Sequence, residues 1–221
     1  MSDIAAVPDT NIFLYWLLPS EDFGGFNRIK YQAVEDYMDS KLEEWDVYVS
    51  PTIREEFNIN TAKKRSRNDY RNYKDLNEEY LNEILGRIRE KLKEISQEVY
   101  IFTPECSEAS EVIHESEIWK RYQDLFPEMS REEKSDFGWK SILPQKNDVR
   151  YISEVEKTFL EEVPDIYEEV YLISEDRHIT APRFVDSLRC EDLDVIDMRE
   201  ILASERGSEE SEKLQESLVK I

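Results

Sequence analysis

A chain of 221 residues with 29 basic and 51 acidic side chains carries a formal net charge of −22. Such a surface repels DNA, RNA and anionic membranes at long range, so a nucleic-acid role has to rest on a local basic patch or on bound cations. The 39% hydrophobic and 11% aromatic content is enough for a packed core and argues against disorder throughout.

The longest apolar run, Ile12 to Leu18, has seven residues, far short of the roughly 20 that a membrane-spanning helix needs. The opening MSDIAAV lacks the basic and apolar regions of a signal peptide. Cys106 and Cys190 have no zinc or redox spacing and read as buried thiols. The expectation is a cytoplasmic protein with no membrane association.

In chain order, Ile4 to Val7 reads as a short strand. Asn27 to Trp45 reads as a helix, with Ile29, Val34, Tyr37, Met38, Leu42 and Trp45 near helical spacing. Val47 to Val49 is the second strand. Ser50 and Pro51 then have the character of an N-cap and first helical residue, opening a helix through Phe57 and beyond. Leu76 to Ser96 predicts a further helix whose stripe is Leu76, Tyr80, Ile84, Ile88, Leu92 and Ile95. That stripe serves a core or a dimer contact.

Val99 to Phe102 predicts the third strand, stopped by Pro104, and Glu108 to Tyr122 a helix. Pro127 to Gln145 reads as a short helix plus loop, and Asn147 to Glu162 as a helix whose inner face is Val149, Ile152, Val155, Phe159 and Leu160. Val170 to Ile173 and Leu193 to Ile196 complete the strands. From Ser204 onward a Glu-rich tail is a loose terminal helix or disordered. Strands separated by helices predict an α/β sandwich around a mainly parallel sheet, in which ligands gather at the carboxyl ends of the strands.

Acids stand at or near those ends. Asp9 follows the first strand, in AAVPDTNIF. Glu55 and Glu56 come shortly after the second, in VSPTIREEF. Asp148 opens the helix before the fourth strand, in QKNDVRYISEVEK, and Asp176 follows the fourth, in VYLISEDRHI. Each has a plain alternative. Asp9 in Asp-Thr-Asn is a good helix cap, Glu56 a solvated helix acid, Asp148 a complement to its helix dipole, and Asp176 a turn acid.

In this order the four stretches resemble the motifs of the PIN-domain family of metal-dependent nucleases. DTN after an apolar strand resembles the first motif. SPTIREEF resembles the second, favouring Glu56, which precedes Phe57, over Glu55. NDVRYISEVE resembles the third, and LISEDRHI the fourth, with Ser174 two residues before Asp176. The resemblance runs from about Ile4 to Ile201. It implies a three-layer α/β sandwich, PIN-like, over residues 1–203, with helical extensions at about 62–96 and 115–145, followed by an acidic tail over 204–221. It further implies that Asp9, Glu56, Asp148 and Asp176 hold one or two Mg²⁺ or Mn²⁺ ions for RNA phosphodiester hydrolysis. Thr10, Asn11 and Ser174 would orient carboxylates or contact phosphate.

Two departures stand out. The segment between Glu56 and Asp148 is long for the family, and His178 occupies a position where a second acid is common. His178 therefore reads as a surface or packing residue, or one that touches substrate. His114 carries no motif.

Elementary electrostatics points the same way. Two carboxylates roughly 4 Å apart repel by about 4 kcal/mol at an effective dielectric near 20, so four require protons or a cation. Oxygen ligands select Mg²⁺ or Mn²⁺ over zinc.

The segment AKKRSRNDYRNYK, Ala62 to Lys74, holds Lys63, Lys64, Arg65, Arg67, Arg71 and Lys74 against the single Asp69. Tyr70 and Tyr73 are interleaved and can stack on unpaired bases. The segment is an RNA-binding candidate, or equally a solvated helix face pairing with the chain's excess acids. No nucleophile elbow and no glycine-rich phosphate loop is present.

The expected function is a metal-dependent endoribonuclease with RNA as its substrate. A toxin role would add an inhibitor protein as partner, and a homodimer is compatible with the apolar stripe. Two rivals remain. One is a catalytically weak PIN-like RNA- or protein-binding module. The other is a different metal-dependent phosphoesterase, although Asp9-Thr10-Asn11 lacks the DxD pattern of many such enzymes.

Overall fold

Ile4–Pro8 forms β1, with Ala5, Ala6 and Val7 fully buried. A continuous apolar run suits a strand flanked on both sides by other strands and covered on its faces. The computed structural model describes residues 2–18, 25–56, 82–83, 86–87, 89–91, 93, 99–101, 108–125, 144–159, 166–188 and 193–204. Of these, 25–27, 54–55, 99, 101, 108–114 and 182–183 are described by their main chain alone.

The other strands are β2 (Asp46–Val49), β3 (Val99–Ile101), β4 (Glu169–Ser174) and β5 (Leu193–Asp197). They form one five-stranded sheet in the order β3-β2-β1-β4-β5, and every neighbouring pair is parallel. The protein is therefore α/β, as the alternation of apolar runs and helical stripes predicts. From β1 the chain builds outward through β2 and β3, then returns to the other side of β1 for β4 and β5. The gap between the carboxyl ends of β1 and β4 is thus the topological switch point, the usual ligand position in such sheets.

The β1–β4 register runs from Ile4 opposite Glu169 to Pro8 opposite Ile173. It is extended one step by the Asp9 amide, which donates to the Ile173 carbonyl at 2.8 Å. That bond fixes Asp9 beside the last residue of β4.

Helix α1 (Thr10–Leu17) buries every residue from Ile12 to Leu17. A short helix that is apolar all round is stable only inside the core. It packs on α2 (Gly25–Lys41) through Tyr15 edge-on to Tyr31, with centroids 5.0 Å apart. The Trp16 indole donates to Asp39 at 2.6 Å, which satisfies a buried polar atom.

Helix α2 ends at Lys41 rather than at Trp45 as its spacing predicts. Residues 42–45 turn into β2 instead, with the Trp45 amide bonded to the Lys41 carbonyl at 2.8 Å. The Trp45 ring stacks on Tyr171 of β4 at 5.3 Å and meets Tyr37 of α2 edge-on at 6.1 Å, so it packs between helix and sheet without being part of the helix.

Helix α3 (Pro51–Glu56) begins as its sequence predicts, with Ser50 Oγ accepting from the Ile53 amide at 3.3 Å. Next come α4 (Glu108–Leu125) and α5 (Lys146–Lys157). Residues 158–159 continue α5 as a π-type turn, and Val149, Ile152, Val155 and Phe159 are buried as predicted. Arg121 of α4 grips Glu156 of α5 with two bonds of 2.6 and 2.7 Å. Thr52 of α3 donates to Glu154 of α5 through its amide at 3.0 Å and its hydroxyl at 2.8 Å.

The short helices α6 (Arg177–Thr180) and α7 (Pro182–Val185) follow β4, and residues 198–204 are helical. The described residues between 82 and 93 are helical as well. The apolar stripe from Leu76 to Ile95, the segment Ala62 to Lys74, residues 126–143, both cysteines and the tail beyond 204 lie outside the described residues. Among the described residues, no helix is long and apolar enough to cross a membrane.

Candidate functional site

The acids anticipated from the sequence converge on the carboxyl edge of the sheet, and each is held there by local structure. Asp9 is the N-cap of α1. Its Oδ1 accepts from the Ile12 amide at 2.8 Å, and its Oδ2 accepts from the Ser174 hydroxyl at the end of β4. The same Ser174 oxygen accepts from the Asp176 amide at 2.9 Å. One hydroxyl thus links the ends of β1 and β4.

Asp9 is 7% exposed. Burial pushes its pKa from the usual 3.8 up to about 7. The bonds from Ser174 and Ile12 oppose this rise, while the charges of Glu175 and Asp176 add to it.

Glu56 lies at the end of α3. Thr10 donates its hydroxyl to Oε2, and Asn147 donates its amide to Oε1 at 2.5 Å. Glu56, at the position the sequence favoured, is therefore turned toward both α1 and α5; the Glu55 side chain is outside the described residues. Asn11 is half-buried in the first turn of α1.

Asp148 sits in the first turn of α5, where its Oδ2 accepts from the Gln145 amide at 2.7 Å. Desolvation, followed by the nearby Asp176 charge, raises its pKa from 3.8 to about 6. Asp176 caps α6. Its Oδ1 accepts from the His178 amide at 2.7 Å and lies 2.9 Å from His178 Nδ1. Burial alone would raise the Asp176 pKa, but the His178 hydrogen bonds and the charges of His178 and Arg199 hold it below the usual value.

Asp148, Asp176 and His178 each present a ligand atom, and these atoms all lie within 4.8 Å of one another. Among the described residues this is the group with the spacing to share a metal ion, and Asp9 and Glu56 are not part of it. Asp9 joins it through Ser174, and the Glu56 charge adds to the rise in the Asp148 pKa. The simple capping roles of Asp9, Asp148 and Asp176 are therefore real and coexist with the cluster, since a carboxylate has about four acceptor sites.

Basic groups flank the acids. Lys30 Nζ lies 2.5 Å from Glu175 and 4.0 Å from the Tyr15 ring centroid, and Tyr15 donates to Glu175 at 2.6 Å. Arg199 binds Asp197 and donates to Thr180 at 2.6 Å.

Neighbouring carboxyl groups with their pKa values pushed apart are the arrangement that acid–base and metal chemistry use. No protein-family model, curated protein or solved structure matches this chain. The class that fold and site define is thus an α/β protein with an acidic cluster at the switch point of a parallel sheet.

Sequence reasoning read His178 as a surface or packing residue, or one that touches substrate, and did not single out Glu175. For His178 a signal existed: it stands two residues after Asp176, at a position where the resembling family often carries an acid. The missing quantity was its distance to Asp148. Lys63, Lys64, Arg65, Arg67 and Arg71 lie outside the described residues, so the site is built without them.

Proposed function

We propose that this protein is a divalent-metal-dependent endoribonuclease with a PIN-like, three-layer α/β fold. The observation that carries the reading is the approach of Asp148, Asp176 and His178 to within 4.8 Å of one another at the sheet's switch point. The donor set suits a divalent cation, since carboxylates are ordinary ligands for Mg²⁺ and Mn²⁺ and imidazole for first-row transition ions. Asp148, Asp176 and His178 would hold the ion, with Asp9 and Glu56 behind them.

When bound, such an ion neutralises phosphate charge and makes a water more acidic. The chain's own residues set the stage. Ser174 aims Asp9 and ties it to Asp176. Thr10 and Asn147 fix Glu56. Asp9, with a pKa of about 7, holds or releases a proton on its carboxyl near neutral pH. Support for RNA as the substrate comes from the basic, tyrosine-containing segment at 62–74.

The test is incubation of the purified chain with mixed RNAs in Mn²⁺ or EDTA. Cleavage should appear only with the ion, and Asp9→Asn or Asp176→Asn should abolish it while circular dichroism stays unchanged. Undiminished cleavage by either variant removes that residue from the mechanism.

One observation favours a second reading. Both Asp9 oxygens accept hydrogen bonds from within the protein, an arrangement that also suits a non-catalytic RNA-binding module. Stoichiometric RNA binding without cleavage in Mn²⁺ selects that alternative.

A further inference from the structure

We propose that His178 makes this centre selective for a first-row transition ion such as Mn²⁺ over Mg²⁺, an inference that rests on the cation reading above. An all-carboxylate site is hard and serves Mg²⁺ well, because Mg²⁺ takes oxygen ligands in strict octahedral geometry and gives up its waters reluctantly. An imidazole nitrogen changes that balance. It is a borderline donor that suits Fe²⁺, Ni²⁺, Cu²⁺ and Zn²⁺ best, adds less to Mn²⁺, the weakest binder of the first-row series, and contributes least to the hard Mg²⁺.

His178 is placed for that role from several sides. Asp176 Oδ1 receives the His178 amide at 2.7 Å and lies 2.9 Å from its Nδ1. Tyr122 of α4 donates its hydroxyl to the His178 carbonyl at 2.6 Å. The Tyr122 ring is itself buried and stacks on Phe184 of α7, with centroids 4.3 Å apart and planes 12° apart. A tyrosine used in this way anchors the main chain of the turn that carries the imidazole, while the contact of Nδ1 with Asp176 Oδ1 holds the ring itself. Preorganisation by such outer contacts commonly governs metal affinity by about 10–100-fold. Asp148 comes from a different element, α5, so the three donors are brought together by tertiary structure and not by one local turn.

The experiment uses the full chain stripped of metal, with Mn²⁺ and Mg²⁺ as probes. Free Mn²⁺ is followed by its paramagnetic resonance signal, and Mg²⁺ affinity is measured by competition. The parent should bind Mn²⁺ more tightly than Mg²⁺, and its bound Mn²⁺ should give the pulsed-resonance modulation of a coordinated imidazole nitrogen.

In His178→Gln the nitrogen modulation should vanish and Mn²⁺ affinity fall by at least the roughly 10–100-fold that losing a mere outer partner of a ligand costs, with Mg²⁺ affinity little changed. His178→Asp should shift the preference toward Mg²⁺. A parent that binds Mn²⁺ without nitrogen modulation, or a His178→Gln variant with the parental Mn²⁺ to Mg²⁺ ratio, overturns the role of His178 and leaves the cation reading standing. A parent that binds neither ion overturns the cation reading itself, and this inference with it. Asp176→Asn, expected to weaken both ions, separates loss of the centre from loss of selectivity.

Discussion

Asp9 exposes the energetic conflict in the site most directly. A carboxyl group that burial lifts from 3.8 to about 7 holds its proton longer in the folded chain than in the unfolded one. Unfolding therefore releases a proton between these values, and stability falls as pH rises through the window. The contribution is present in full below the unfolded value near 3.8 and is lost as the pH climbs through 7. At 1.36 kcal/mol per unit the whole effect is roughly 4 kcal/mol. Asp9→Asn keeps an acceptor for the Ile12 amide and a partner for Ser174 while removing the charge. In EDTA at pH 8 the variant should be more stable than the parent toward urea, and the difference should shrink toward zero at pH 4. Equal stability at pH 8 would mean that the buried charge is already relieved by another route.

At the scale of elements, α5 organises the site. Its first turn presents Asp148, its middle binds α3 through Glu154 and Thr52, and its last turn places Glu156 against Arg121 of α4. Glu156 is 0% exposed, so removing Arg121 takes a two-bond counter-charge from a buried carboxylate. Arg121→Met should cost about 3–5 kcal/mol in urea denaturation, and the paired change Arg121→Met with Glu156→Leu should recover most of it. Failure of the pair to recover would place the loss in packing of the Arg121 stem.

The register of α5 was legible because Val149, Ile152 and Val155 repeat at helical spacing. The five strands were legible as short apolar runs, and the exit of β1 at Asp9 followed from the break in such a run. The early end of α2 was not legible, because Trp45 packs on both Tyr37 of the helix and Tyr171 of a distant strand while standing outside the helix itself. The grouping of Asp148 with Asp176 and His178 depends on where α5 crosses the sheet relative to β4, a tertiary relation that local spacing does not encode. The commitment of Asp9 to both Ile12 and Ser174 depends on the β1–β4 register in the same way.

For the whole molecule the governing quantity is its charge of −22. A polyanion approaching such a protein meets repulsion everywhere except at local concentrations of Lys and Arg. The densest of these in the sequence is Lys63, Lys64, Arg65, Arg67 and Arg71, a short way beyond Glu56. If these groups hold RNA, they release counterions on binding, and the logarithm of affinity falls with that of salt concentration at about 0.7 per neutralised phosphate on a single strand. Replacing Lys63, Lys64, Arg65 and Arg67 by Ala should weaken binding of a single-stranded RNA, measured by fluorescence anisotropy. It should also flatten the salt slope by up to about 3 if all four meet phosphates. The decisive quantity is the slope and not the affinity alone. Four removed cations make the molecule still more negative and depress affinity even without direct contact, whereas only lost phosphate contacts reduce the number of ions released. An unchanged slope would therefore assign the segment to neutralising the chain's own acids.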